Sequence, residues 1–323
     1  MRPLLISLVL QCALAAPGLA QSIPFQDKLD PATPTTVKVK LQVGTHMTPA
    51  WFTVDTGSVG IVLPATALPA DAPVIERGQI EYTSSGVVWS GFWTTQTITF
   101  TDANDQPLAT STAQVFAAQT PSCTGKGPHA ASCDPAKLAA KHPHMMGIGF
   151  GRPDTYAFPT RNPAIHVAHV AEQSYRIDQT SLTLGVPSKS LPARCLQQTL
   201  QPNATPGFAG DWQTPTGTLA IDDTRAPANI LIDTGITDML IGAAQQPTSG
   251  TLHHGTRVTV GFLGGKLTAA YQVHATAAPA APTAFHWIHF HGTAFVNTGI
   301  TPLARYVYYF NSTKGIVALC PLP

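Results

Sequence analysis

Asp55-Thr56-Gly57 and Asp233-Thr234-Gly235 are two copies of one tripeptide, 178 positions apart. Each lies in an apolar run: Trp51-Phe-Thr-Val-Asp-Thr-Gly-Ser58 and Ile230-Leu-Ile-Asp-Thr-Gly-Ile-Thr237. A carboxylate on a buried strand is costly to keep charged. Two carboxylates about 3 Å apart cannot both ionise, so they share one proton. Such a pair offers a base and an acid at the same pH, which suits attack by an activated water on an unreactive carbonyl. The bland alternative is a pair of turns in which each Asp only bonds its own backbone.

The elements that must position these aspartates read as strands. Val37-Lys-Val-Lys-Leu-Gln-Val43 alternates apolar and polar residues with period two, the signature of a half-buried strand. Gln96–Phe100, Ser181–Leu184 and Arg257–Val260 show shorter versions. Helical periodicity is scarce. One helix is expected from Asn162, as N-cap, through Glu172, with Pro163 at its first position. A second, short one is expected over Pro302–Tyr306. Ala269–Pro282 and Leu200–Pro215 read as loops rich in turn residues.

The two copies extend beyond the tripeptide. Thr53–Gly57 followed by Ile61-Val-Leu-Pro64 parallels Leu231–Gly235 followed by Met239-Leu-Ile-Gly242. So long an interval implies two duplicated lobes rather than a solenoid. The boundary is expected near Pro187-Ser188-Lys189, giving an N-terminal lobe over residues 21–188 and a C-terminal lobe over 189–323. Residues 1–20 read as a secretory signal, with Arg2, an apolar run and small residues at Gly18 and Ala20. A lipoprotein, with Cys12 as the lipidated residue, is the rival.

Composition narrows the function classes. The chain has 323 residues, of which 11% are charged, and a formal net charge of +1. No basic stripe or acidic tail suggests a nucleic-acid partner, and no later stretch is apolar enough for a membrane span. Four cysteines follow the signal and allow three pairings. A local Cys123–Cys133 bridge is favoured, leaving Cys195–Cys320. Neither spacing resembles a zinc site. No Gly-x-Ser-x-Gly elbow is present for serine hydrolysis. Of His286, His289 and His291 on one late strand, His289 and His291 are expected on one face and His286 on the other, and the same-face pair raises a metal-binding protein as one hypothesis. A half-exposed strand is the ordinary reading, and no metal ligand or cofactor is assigned.

The chain resembles the pepsin-like, bilobal aspartic peptidases over nearly all of its length after the signal. The resemblance rests on the two Asp-Thr-Gly loops, on Gly44-Thr45, on Met145-Met-Gly-Ile-Gly-Phe-Gly151, and on the spacing of Gly299–Leu303, Tyr306, Phe310 and Asn311–Leu319. It implies an all-β fold of two β lobes with a cleft between them. It implies Asp55 and Asp233 as catalytic residues holding a water, supported by Thr56, Gly57, Ser58, Thr234 and Gly235. It implies a flap over the cleft with Tyr82 on it and Ser84, Ser85 and Gly86 at its tip. The partner would be a peptide or protein substrate, cut by a monomer that is secreted or periplasmic. Asp55 lies only 34 residues past Gln21, too few for an inhibitory prosegment, as in the prosegment-free bacterial members of that family.

Three positions depart from the family's pattern. Ile236 stands where a second Ser or Thr is usual, so Asp233 is expected to lack one hydrogen-bond donor and the pair to titrate at a less acidic pH than stomach pepsins. Val62 stands where many members have the Trp that bonds the flap tyrosine, so either Trp51 or Trp89 serves instead or the flap is held more loosely. Asn297-Thr298-Gly299 replaces two hydrophobic residues before Gly and is expected to weaken the second crossing segment. These departures keep open a catalytically silent binding protein of the same fold.

Overall fold

The computed structural model describes residues 18–152, 158–243, 250–274, 280–289 and 292–322. The expected signal therefore lies almost wholly outside the described residues, as does His291. The chain is mostly β, as its alternation requires. The strand Lys38–Val43 buries Val39, Leu41 and Val43 and turns Lys38 outward.

Among the described residues, three sheets hold all of the strands. A seven-stranded sheet runs in the order Lys38–Val43, Ala50–Asp55, Met145–Ile148, Val59–Pro64, Pro107–Cys123, Val87–Thr101 and Glu76–Tyr82. An eight-stranded sheet runs Gly250–Thr251, Phe285–Trp287, Met239–Gly242, Ala294–Asn297, Thr224–Leu231, Thr216–Ile221, Arg257–Phe262 and Leu267–Gln272. A six-stranded sheet takes strands from both sides of residue 188: Gln21–Pro24, Ser181–Leu184, Ser174–Ile177, Tyr306–Asn311, Ile316–Pro321 and Leu196–Thr199.

The first two sheets share a local topology. Met145–Ile148 inserts between Ala50–Asp55, parallel to it, and Val59–Pro64, antiparallel to it. Ala294–Asn297 inserts in the same way between Thr224–Leu231 and Met239–Gly242. Each Asp-Thr-Gly loop is thus held over a crossing strand. The expected weakening of the second crossing segment does not occur: Asn297 pairs with both Leu231 and Leu240, and its polar side chain is satisfied within the loop above it.

Helices are short. Asn162 does cap a turn, its side chain accepting from the Ala164 amide at 2.9 Å, but only Pro163–Ile165 coils, as a 3-10 turn. The helix expected to reach Glu172 is absent because Val167 and Val170 are drawn into extended bridges with Ser111 and Gly18. Thr301–Ala304 is likewise a 3-10 turn, and Tyr306 already belongs to a strand. Ala269–Gln272, expected as loop, lies in a strand whose Ala269 and Tyr271 are buried. The α-helix among the described residues, Pro135–Lys141, begins at Asp134, whose carboxylate accepts from the Ala136 and Lys137 amides. Both favoured disulfides form, Cys123–Cys133 and Cys195–Cys320. No helix among the described residues is long and apolar enough to cross a membrane.

Candidate functional site

Each aspartate ends a buried strand, and the next residues turn back over it. The Gly57 amide donates to Asp55 Oδ1 at 2.7 Å, and the Ser58 hydroxyl donates to Asp55 Oδ2 at 2.6 Å. The Gly235 amide donates to Asp233 Oδ1 at 2.8 Å. The loops face each other. A Cβ on Gly57 would sit 2.2 Å from Asp233 Oδ2, and one on Gly235 would sit 2.7 Å from Asp55 Oδ1. Contacts this short exclude any side chain, so glycine at both positions is what lets the carboxylates approach.

The threonines lock the arrangement. The Thr56 amide donates to Thr234 Oγ1 at 3.1 Å and the Thr234 amide to Thr56 Oγ1 at 3.0 Å. Each hydroxyl then donates to a carbonyl of the opposite strand, Thr56 to Ile232 at 2.6 Å and Thr234 to Val54 at 2.7 Å. Both threonines are buried, so this network is fully satisfied and costly to break.

The donor expected to be missing at Asp233 is supplied from elsewhere. Asn297 Nδ2 donates to Asp233 Oδ2 at 2.6 Å, and the Asn297 side-chain oxygen accepts from the Gly299 amide at 3.0 Å. Ile236 therefore does not leave Asp233 short of a partner. Asp233 still perturbs Asp55. Burial, then the neighbouring Asp233 carboxylate, push the Asp55 carboxyl well above the usual range, against the pull of Ser58 and Gly57.

A hairpin reaches over the pair. Glu76–Tyr82 and Val87–Thr101 form its arms, paired from Glu76↔Trp93 to Tyr82↔Val87. The Ser85 and Gly86 amides both donate to the Tyr82 carbonyl, and Gly86 turns the chain at φ 66°. Burial and the charge of Asp55 raise the Tyr82 phenol, which keeps it a neutral hydroxyl. Trp89, not Trp51, shares a packed cluster with Val62 and Tyr82. Trp51 instead meets the Lys40 ammonium. At the hairpin's base, Arg161 is buried over the Trp93 ring and its Nη2 bonds Glu76 at 2.9 Å.

Between the hairpin and the two loops lies a cleft of about 550 Å³. Asp55, Asp233, Tyr82, Ser84 and Ser85 all line it; Gly86 forms the turn behind. Its walls are largely apolar, with Ile80, Trp89, Leu138, Ile236, Leu240 and Phe295 among them. Arg152 lines the same cleft and feels the charge of both aspartates. Its role was not legible in the sequence, where it directly follows a glycine-rich apolar run.

A second polar cluster includes His129, which lines the same cleft. His129 Nε2 lies 2.6 Å and His286 Nε2 lies 3.2 Å from Asp238 Oδ2. The Thr283 hydroxyl donates to Asp238 Oδ1. Burial pushes the Asp238 carboxyl up, but His286, Thr283 and His129 outweigh it and hold it below the usual range. Among the described residues, His286 thus meets a histidine and an aspartate from distant segments. Among the described residues a potential metal-holding cluster takes His286 rather than His289, so the expected pairing of His289 with His291 is not what forms it; His291 lies outside the described residues. Sequence spacing had no means of finding His129, which is 109 residues from Asp238.

No protein-family model matches this chain, and no curated protein matches it in sequence.

Proposed function

We propose that this chain is an aspartic endopeptidase of the pepsin-like, bilobal kind, hydrolysing peptide bonds by a water activated between Asp55 and Asp233. The observation that carries the reading is the mutual approach of the two carboxylates, each seated on a glycine of the other loop. The pair holds one proton and titrates as a unit. The ionised carboxylate takes a proton from the water as it attacks the scissile carbonyl. The protonated one donates to the carbonyl oxygen. Tyr82 and the hairpin tip cover the site and exclude bulk water, the role of a lid in such a reaction. The apolar walls favour an extended peptide with apolar side chains flanking the cut.

The two halves on either side of residue 188 serve as the two lobes, and the six-stranded sheet is their common base. Two disulfides fit an oxidising compartment, so we place the protein in the periplasm or outside the cell, acting as a monomer.

The test is cleavage of a mixed peptide library from about pH 3 to 7, the span such a pair samples. Wild type is run beside Asp55→Asn and Asp233→Asn. Cleavage that either substitution abolishes supports the reading, and the cut sites report specificity. A folded wild type that cuts nothing would make the protein a silent binding member of the same architecture.

A further inference from the structure

His129, Asp238 and His286 offer two imidazole nitrogens and one carboxylate oxygen, all within 4.8 Å of one another. The hydrolytic mechanism makes no use of them. They come from three segments on both sides of residue 188. His129 lies in the loop closed by Cys123–Cys133. Asp238 follows Asp233 by five positions. His286 lies on a strand paired with Met239–Gly242, in register with Leu240.

This donor set suits zinc, which takes imidazole and carboxylate ligands in tetrahedral geometry. Ligands about 2.0–2.1 Å from the metal stand roughly 3.3 Å apart. The 3.2 Å from Asp238 to His286 already meets that spacing, and the 2.6 Å to His129 needs a small outward shift. The imidazole of His129 is 45% exposed and can make that shift, while Asp238 and His286 form a mostly buried wall. The Thr283 hydroxyl on Oδ1 orients the carboxylate so that Oδ2 faces the imidazoles, as the outer partners of zinc ligands do.

We propose that His129, Asp238 and His286 form a zinc site that ties the Cys123–Cys133 loop to the second half of the chain. The loop in turn holds the hairpin tip. The His129 amide donates to the Ser84 carbonyl at 3.0 Å, and the Thr124 amide to the Gly86 carbonyl at 2.9 Å. A zinc ion on His129 therefore fixes the tip over the cleft, and its loss frees the tip to open.

The full chain is dialysed against EDTA and titrated with zinc sulfate by calorimetry, with metal content checked after gel filtration. Wild type is expected to bind a single zinc ion per chain. His129→Gln should weaken binding by at least about 10- to 100-fold, the cost of losing even an outer partner of a zinc ligand. His142→Gln, which removes another imidazole lining the cleft, should leave affinity unchanged. Zinc should also slow amide exchange across residues 127–131. Because His129 is exposed on a loop, its replacement should preserve the fold, and circular dichroism checks this. Wild type that binds less than stoichiometric zinc, or binds it no more tightly than His129→Gln, overturns the proposal. The readout is metal binding, so it stands or falls separately from peptide cleavage.

Discussion

Asn297 Nδ2 donates to Asp233 Oδ2 at 2.6 Å, across 64 residues of chain. Ser58 does the corresponding work for Asp55 from three residues away. The two loops are therefore alike in their glycines and threonines and unlike in what bonds the second carboxylate oxygen. A crossing strand, rather than the loop itself, completes the second half of the pair.

Asn297→Ala removes a hydrogen bond to an ionised group, worth about 1.5–3 kcal/mol. The kcat/KM for peptide cleavage should fall by roughly 10- to 100-fold. The lost bond favours the charged form, so the upper apparent pKa should rise as well. Ile236→Thr in the Asn297→Ala background should restore part of the activity. Steady-state kinetics over pH check both shifts. An unchanged profile in Asn297→Ala would separate Asn297 from the chemistry.

The pH–rate profile should extend well above the range of ordinary carboxylates, whose pKa lies near about 4. Burial and the Asp233 carboxylate raise the Asp55 carboxyl, so the singly protonated pair persists toward neutrality. Activity limited to below about pH 4 would contradict this. Arg152→Met removes a cation that interacts with both aspartates, and should move the upper limb to still higher pH.

Asp55→Asn should stabilise the fold near pH 7 while abolishing cleavage. A carboxyl raised in the folded state contributes stability below its unfolded pKa of about 4 and loses it as pH rises toward its folded value. Asn carries no such penalty. Thermal unfolding should therefore show a Tm increase of a few degrees at pH 7 that vanishes near pH 3. Equal effects at both pH values would mean that the charge is not the cause.

Glu172 carries the opposite sign. Burial pushes its carboxyl up, but Lys314, the Ser188 amide and Asn311 outweigh this and lower it to about 2. Its contribution to stability is present above the usual Glu value and is lost as pH falls toward 2. Glu172 joins Ser188 to the hairpin that carries Asn311 and Lys314. Glu172→Gln should cost on the order of 2 kcal/mol at pH 6 and flatten the loss of stability between about pH 4.5 and 2. Denaturant titrations at several pH values measure it.

The sequence by itself determined what is local or repeated. Alternation marked the strand Lys38–Val43 because strand periodicity needs only neighbouring residues. The paired Asp-Thr-Gly runs announced two carboxylates on buried strands, with glycines where the backbone must pass close. Cys123 and Cys133, ten positions apart, favoured a local bridge among the three possible pairings, and the fold realises it. Tertiary structure decided what depends on distant chain arriving at a place. A buried carboxylate takes its hydrogen bonds from whichever segment reaches it, so Asn297 could replace a donor that local comparison counted as lost. Val167 and Val170 left a well-capped helix because extended partners were there to pair with them. His129, Asp238 and His286 share no spacing at all. Only packing across the cleft brings them together, since side-chain chemistry is short-range in space and indifferent to separation along the chain.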